Sequence, residues 1–201
     1  MEMNNQGGVL SGLEFMGDNI RNRLKYCGEG VRLYPLCKMI NAENAMLDTE
    51  AKILDNVWID AGPLFIMGKY SMLTWGVLVE GRAETRIGDR VFVGPGSKIL
   101  TSTYKVQGYY GMEFLPEGCG EIEYGNITLE DDVYIGANVT ILPGVTIHEG
   151  AIVGANALVT SDLDPWGIYV GTPCRRIGDR KKPSKEQSEL LFSSIDWSKH
   201  L

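Results

Sequence analysis

The chain has 201 residues, enough for one sizeable domain with appendages. Its 44% hydrophobic and 22% charged residues are those of a folded globular protein, which excludes intrinsic disorder. A net charge of −7, from 19 basic and 26 acidic residues, excludes a broadly basic nucleic-acid-binding surface but not a local basic pocket for an anionic ligand.

The first twenty residues carry neither a basic n-region nor the apolar core of a signal peptide. No stretch reaches 18 apolar residues, so a cytoplasmic protein without integral membrane contact is expected. Cys27, Cys37, Cys119 and Cys174 show no CxxC spacing and read as free thiols. Residues 1–50 read as a lead-in, loose or briefly helical at first and extended through GVRLYPLCKMI. Residues 51–182 read as the main domain, and 183–201 as a C-terminal helix. The helix is signalled by Ser184 with Gln187 three later, then Leu190, Leu191 and Ile195 at helical spacing.

A six-residue period organises the main domain. From Leu129 the chain divides into LEDDVY, IGANVT, ILPGVT, IHEGAI, VGANAL and VTSDLD. The first position is Leu129, Ile135, Ile141, Ile147, Val153 and Val159, always aliphatic; the fifth is Val, Ala or Leu. Neither a helix nor a plain strand pair has this period. One short strand plus one turn does, and three such units close a triangular coil whose aliphatic positions point inward. Upstream the frame is looser. Ile53 with Val57, and Ile87, Val91, Val93 and Ile99, keep it, whereas the interval from Ile59 to Ile87 demands an insertion or a bulged corner. Between Thr101 and Asn126 it disappears into a loop rich in Gly and Tyr, long enough on a regular scaffold to be functional.

The sequences VYIGANVTILPGVTI, GANALVTSD and GTPCRRI, in that order, resemble the hexapeptide-repeat acyltransferases, most of all their sugar O- and N-acetyltransferase branch. The resemblance covers Gly30 to about Arg180. It implies an all-β fold, a left-handed parallel β-helix with an extended N-terminal segment, an inserted loop and a C-terminal helix. It also implies a homotrimer that binds acetyl-coenzyme A between subunits and acetylates a hydroxyl or amine of a sugar or nucleotide-linked sugar for cell-surface polysaccharide. No metal is required. The positions carried over for the cofactor are Tyr134, Ala137, Ala155, Thr160, Ser161 and Arg175. Small side chains at Ala137 and Ala155, eighteen residues apart, leave room for the pantetheine arm, and Arg175 meets its phosphates.

Attack by a hydroxyl on a thioester needs a general base, most often His. Many relatives carry that His in the loop, where this chain has Thr103-Tyr104 and no His. The candidates left are Tyr104, Glu113, Glu121 and Glu123 in the loop, Tyr104 and Glu113 foremost, and His148 in the repeat, the last on a different face from Ala137 and Ala155. An amine acceptor would attack in its neutral form without a strong base. Two histidines are too few for a three-His metal site of the carbonic anhydrase kind. The alternative from another class is a catalytically inactive trimeric scaffold.

Overall fold

The computed structural model describes residues 18–105, 122–184 and 186–187. Two- and three-residue strands alternate with turns and stack into three parallel sheets around one apolar core. The first face is formed by strands Tyr26–Cys27, Ala45–Leu47, Phe65–Met67, Thr85–Ile87, Ile127–Leu129 and Thr146–Ile147. The second runs from Arg32–Leu33 and Lys52–Ile53 through Met72–Leu73, Phe92–Val93 and Tyr134–Ile135 to Ile152–Val153. The third comprises Lys38–Ile40, Trp58–Asp60, Leu78–Val79, Lys98–Ile99, Thr140–Ile141 and Leu158–Val159. This is the left-handed parallel β-helix that the repeat and its resemblance implied, about six coils long.

The frame is the expected one. Leu129, Ile135, Ile141, Ile147, Val153 and Val159 are all fully buried. Each continues a column: Val79, Ile99, Ile141 and Val159, for example, stack down the third face. Every coil supplies an apolar residue to the same place, so the core is a continuous rod and backbone hydrogen bonding passes from coil to coil.

The starting point differs from the expectation. The β-helix begins at Tyr26, not at residue 51, and GVRLYPLCKMI forms the second and third sides of its first coil. Coil length explains why the period was hidden. Ile66 stacks on Met46 and Arg86 on Ile66, a step of 20, whereas Ile147 stacks on Leu129 and Val153 on Ile135, a step of 18. The early coils carry two additional residues at the edge between the third and first faces, which in the first coil wind into the 3-10 turn Ala42–Asn44. A strict six-residue frame therefore slips once per coil. The long loop leaves from that same edge in the fourth coil: Thr128 stacks on Arg86 across a step of 42.

Both ends are closed. Asp18–Arg21 forms one helical turn that buries Ile20 beneath the first coil. At the other end Gly167–Gly171 adds to the second face in parallel, then turns back antiparallel as Cys174–Asp179. Tyr169 and Cys174 are buried by this hairpin, which extends the second face by two strands. Ser184 and Gln187 form the expected reciprocal capping box: the Gln187 amide donates to Ser184 Oγ at 3.1 Å and the Ser184 amide to Gln187 Oε1 at 2.9 Å. The rest of the expected C-terminal helix lies outside the described residues.

Candidate functional site: the edge between the second and third faces

At this edge the turns Gly94–Gly96, Gly136–Asn138 and Gly154–Asn156 lie one above another. The Asn156 amide donates to the Ala137 carbonyl at 2.8 Å and the Asn138 amide to that of Pro95 at 2.8 Å. Trp75, Pro95, Ala137 and Ala155 thus form one column, for the Gly96 amide also donates to the Trp75 carbonyl at 3.0 Å. The glycines beside it are sterically required. A Cβ on Gly136 would lie 2.6 Å from the Ala155 nitrogen, and one on Gly94 would lie 2.7 Å from the Ala137 nitrogen. Asn138 and Asn156 hold φ of 55° and 60°, the left-handed region that Asn tolerates.

The terminal hairpin tips over the same edge. Val170 packs above Gly154, Thr172 Oγ1 donates to the Asn156 carbonyl at 3.1 Å, and Arg175 pairs with Val170. Arg175 is exposed and its guanidinium donates to the Cys174 carbonyl at 2.8 Å. Burial pushes the neighbouring Cys174 thiol up from its ordinary value, partly offset by Arg175. Tyr134 stands outward on the second face, its ring stacked on Phe92 with centroids 5.1 Å apart.

The structure therefore gathers Ala137, Ala155 and Arg175 at one edge, with Tyr134 on the adjoining face. Thr160 and Ser161 do not join them; they lie at the next edge, beyond the strand Leu158–Val159. His148 occupies the third edge, between the first and second faces. Its Nδ1 is 3.1 Å from Glu130 Oε1, and Glu130 Oε2 accepts the Glu149 amide at 2.9 Å. Tyr104 ends the strand Ser102–Tyr104, which pairs antiparallel with Ile122–Tyr124 and carries the loop out of the helix. Glu113 lies outside the described residues.

At the foot of that ribbon is a cavity of ≈ 290 Å³ lined by Glu80, Arg82, Leu100, Ser102–Tyr104, Ile122 and Tyr124. Both Glu80 oxygens are engaged by Ser102, from its amide at 2.9 Å and its hydroxyl at 2.7 Å, so Glu80 anchors the ribbon. A broader depression of ≈ 490 Å³ on the first face is bordered by the carboxylates of Glu130, Asp131 and Glu149 and by Arg86, which is paired with Glu84, a balance that would repel phosphates. Sequence reasoning missed Trp75, Glu80, Arg82 and Glu130. Glu130 was readable from the 18-residue coil that sets it under His148; Trp75 needed the 20-residue coil. Among the described residues no cluster of three or more His, Cys, Asp or Glu side chains suits a metal, and no helix is long and apolar enough to cross a membrane.

A left-handed β-helix with a small-residue edge beneath a basic hairpin defines a class of transferase scaffolds. Residues 126–161 match the bacterial transferase hexapeptide family as six repeats. A probable macrolide acetyltransferase of Lysinibacillus sphaericus is 34% identical over 129 residues, 55% of this chain and 70% of that protein. The chain belongs to this hexapeptide-repeat transferase family. The galactoside O-acetyltransferase of Escherichia coli K12 is 29% identical over 76% of this chain and 77% of its own length. A putative acetyltransferase of Schizosaccharomyces pombe is 40% identical, but the match spans only 41% of that protein. Among solved structures, a variant of the Bacillus cereus N-acyltransferase AntD with dTDP and coenzyme A shares the fold, with TM-score 0.79 and 23% identity over 96% of this chain and all of that one. A hexapeptide-repeat acetyltransferase of Vibrio cholerae, complexed with acetyl-coenzyme A, has TM-score 0.60 and 25% identity over 82% of this chain and 75% of that one.

Proposed function

We propose that this protein transfers an acetyl group from acetyl-coenzyme A to a hydroxyl or amine of a sugar or nucleotide-linked sugar, as a cytoplasmic homotrimer serving cell-surface polysaccharide synthesis. The observation that carries the reading is the column Pro95, Ala137 and Ala155 beneath the Arg175 hairpin. Its side chains are short where an extended arm must lie close to backbone, and its cation stands at the end where phosphates belong. The named relatives support the donor, since related structures hold coenzyme A or its acetyl ester.

The edges that flank the third face support the trimer. The small-residue column runs along one side of that face and the loop rises from the other. Trp58, Leu78 and Leu158 project outward from it, half-buried. With three copies packed through these faces about a three-fold axis, the column of one copy meets the loop of the next. The loop foot and Pro95 belong to the third and fourth coils, so donor and acceptor sites fall at one height.

Within that cleft Tyr134 walls the donor side, and the tyrosines of the loop foot, Tyr104 and Tyr124, face the acceptor. Acceptor N–C or O–C bond formation expels the thiolate, and the acceptor's proton must leave. Thr160 and Ser161, at the loop's edge, approach the donor from the partner copy. His148 stands at the outermost edge, which favours a proton acceptor in the loop, Tyr104 or Glu113, or an amine acceptor that attacks in its neutral form.

Thermal unfolding with coenzyme A tests the reading. A ligand at 100 times its Kd adds about 2.7 kcal/mol to stability, whereas an inactive scaffold shows no shift. Hydroxyl and amine sugars, and the antibiotic alcohols suggested by relatives such as the macrolide enzyme, then separate acceptors in one assay.

A further inference from the structure

The column continues below the stretch that the proposed donor site uses. Below Pro95 the same corner position is Trp75, 57% exposed although it is the bulkiest residue of the column. Its neighbour Gly76 has φ +71°, and a Cβ there would find only Gly96 at 3.9 Å, so the corner is open around the indole. The core does not require it, for the inward positions of this coil are Leu73 and Val77, both fully buried. A tryptophan left in solvent at the foot of a run of Pro and Ala is where a linear ligand lying on that run would end.

Distance decides what meets it. Arg175 lies two strands above the Ala155 turn and Trp75 three coils below, so the two are about 24 Å apart at ~4.8 Å per strand spacing. A pantetheine arm has an amide-linked backbone of thirteen bonds from phosphorus to sulfur, and extends ~16 Å at about the rise per bond of a stretched peptide. The sulfur then falls just past Ala137. An acetyl group fits in the remaining space beside Pro95, while an acyl chain of about eight carbons, at the same rise, runs into the indole.

We infer that Trp75 closes the acyl end of the donor cleft and restricts this protein to short acyl groups. The inference rests on the donor reading above and deepens it, by making acyl length a property of one residue. The acceptor approaches from the side, from the partner's loop foot, so the Trp75 ring bears on the donor and not on the acceptor.

The test is calorimetric affinity of the full chain for coenzyme A, acetyl-coenzyme A and octanoyl-coenzyme A, in wild type, Trp75→Phe and Trp75→Ala. Wild type is expected to bind the octanoyl ester at least tenfold more weakly than the acetyl ester. Trp75→Ala should abolish most of that gap with acetyl-coenzyme A affinity unchanged within twofold, and Trp75→Phe should fall between. Size-exclusion chromatography with light scattering accompanies each variant. Equal affinity of wild type for both esters overturns the inference, as does an unchanged gap in Trp75→Ala. A variant that only alters the oligomer, leaving the gap, assigns Trp75 to subunit packing instead. Failure of wild type to bind coenzyme A itself removes the donor reading, and this inference with it.

Discussion

Ala155 is the residue where the proposed donor site has least tolerance. It is exposed at its turn, directly above Ala137, and its backbone nitrogen already crowds Gly136. Ala155→Trp should lower coenzyme A affinity at least tenfold by calorimetry while leaving the melting temperature near that of wild type, because the ring adds bulk outside the core. Unchanged affinity would move the donor off this column. Cys174 offers a second residue-level check. Its thiol is buried and its pKa raised, so the nucleophilic thiolate is scarce at neutral pH. Iodoacetamide at pH 7 should label half-buried Cys27 well before Cys174 in the native protein, as read by mass spectrometry. His148 is the harder case. A carboxylate holding Nδ1 is also how catalytic imidazoles are oriented, yet this one sits an edge away from the small-residue column. His148→Ala should retain most of its kcat, since loss of a true general base costs ~10²–10⁴-fold. A hundredfold fall with the oligomer intact would make His148 the base, and Glu130→Gln its positioning variant.

At the scale of the element, each coil must satisfy two demands, an inward apolar residue and turns that re-enter the next side. The second demand puts side chains into left-handed backbone. Along the edge between the first and second faces, Glu50, Tyr70, Arg90, Asp132 and Trp166 all have positive φ, between 57° and 61°. Each donates its amide to a carbonyl of the coil beneath, as Arg90 does to Lys69 at 2.7 Å, which offsets a conformation that costs roughly 1 kcal/mol or more for such residues. Two of them hold the edge further. Arg90 grips Asp132 through Nε at 2.7 Å and Nη2 at 2.8 Å, which raises the Arg90 pKa. The first demand is strained at Thr85, which faces inward between Phe65 and Ile127, 2% exposed, with a hydroxyl that has no hydrogen-bond partner among the described residues. Thr85→Val keeps the shape and removes the stranded group, so it should stabilise the protein by about 1 kcal/mol in urea titration. Ser71 and Ser97 look similar in sequence but differ. Ser97 Oγ donates to the Gly136 carbonyl at 2.9 Å and accepts from the Val139 amide at 3.2 Å, so Ser97→Ala should cost about 1–3 kcal/mol.

Across the whole molecule, legibility followed regularity. From Leu129 on, coils of eighteen residues repeat the sequence at the same interval as the structure, and the buried positions were readable directly. The small-residue edge was legible for the same reason, as Ala137 and Ala155 are one coil apart. The first three coils obey the same physics, but two additional residues at one edge break the frame, which hid the start at Tyr26 and the column member Trp75. Glu80 and Arg82 were hidden because the pocket they line is built by a chain crossing from Leu100 to Ile122 rather than by any local spacing. That arrangement separates scaffold from loop, and the separation can be tested. The ribbon Ser102–Tyr104 with Ile122–Tyr124 leaves an edge whose coil is already closed by Thr128 on Arg86 and by Thr101. Thr101 Oγ1 donates to the Glu80 carbonyl at 2.7 Å and accepts from the Arg82 and Ala83 amides at 2.9 and 3.1 Å. Each of these bonds is made by residues outside 106–121. Replacing residues 105–121 by Asn-Gly, a pair suited to a two-residue hairpin turn between the paired Tyr104 and Ile122, should leave the far-ultraviolet circular dichroism and the coenzyme A affinity near those of wild type. Transfer to any sugar acceptor should fall at least a hundredfold, because the acceptor loses one wall of its site. Loss of coenzyme A binding in this variant would instead place the loop on the donor, and retained transfer would place the acceptor elsewhere on the prism.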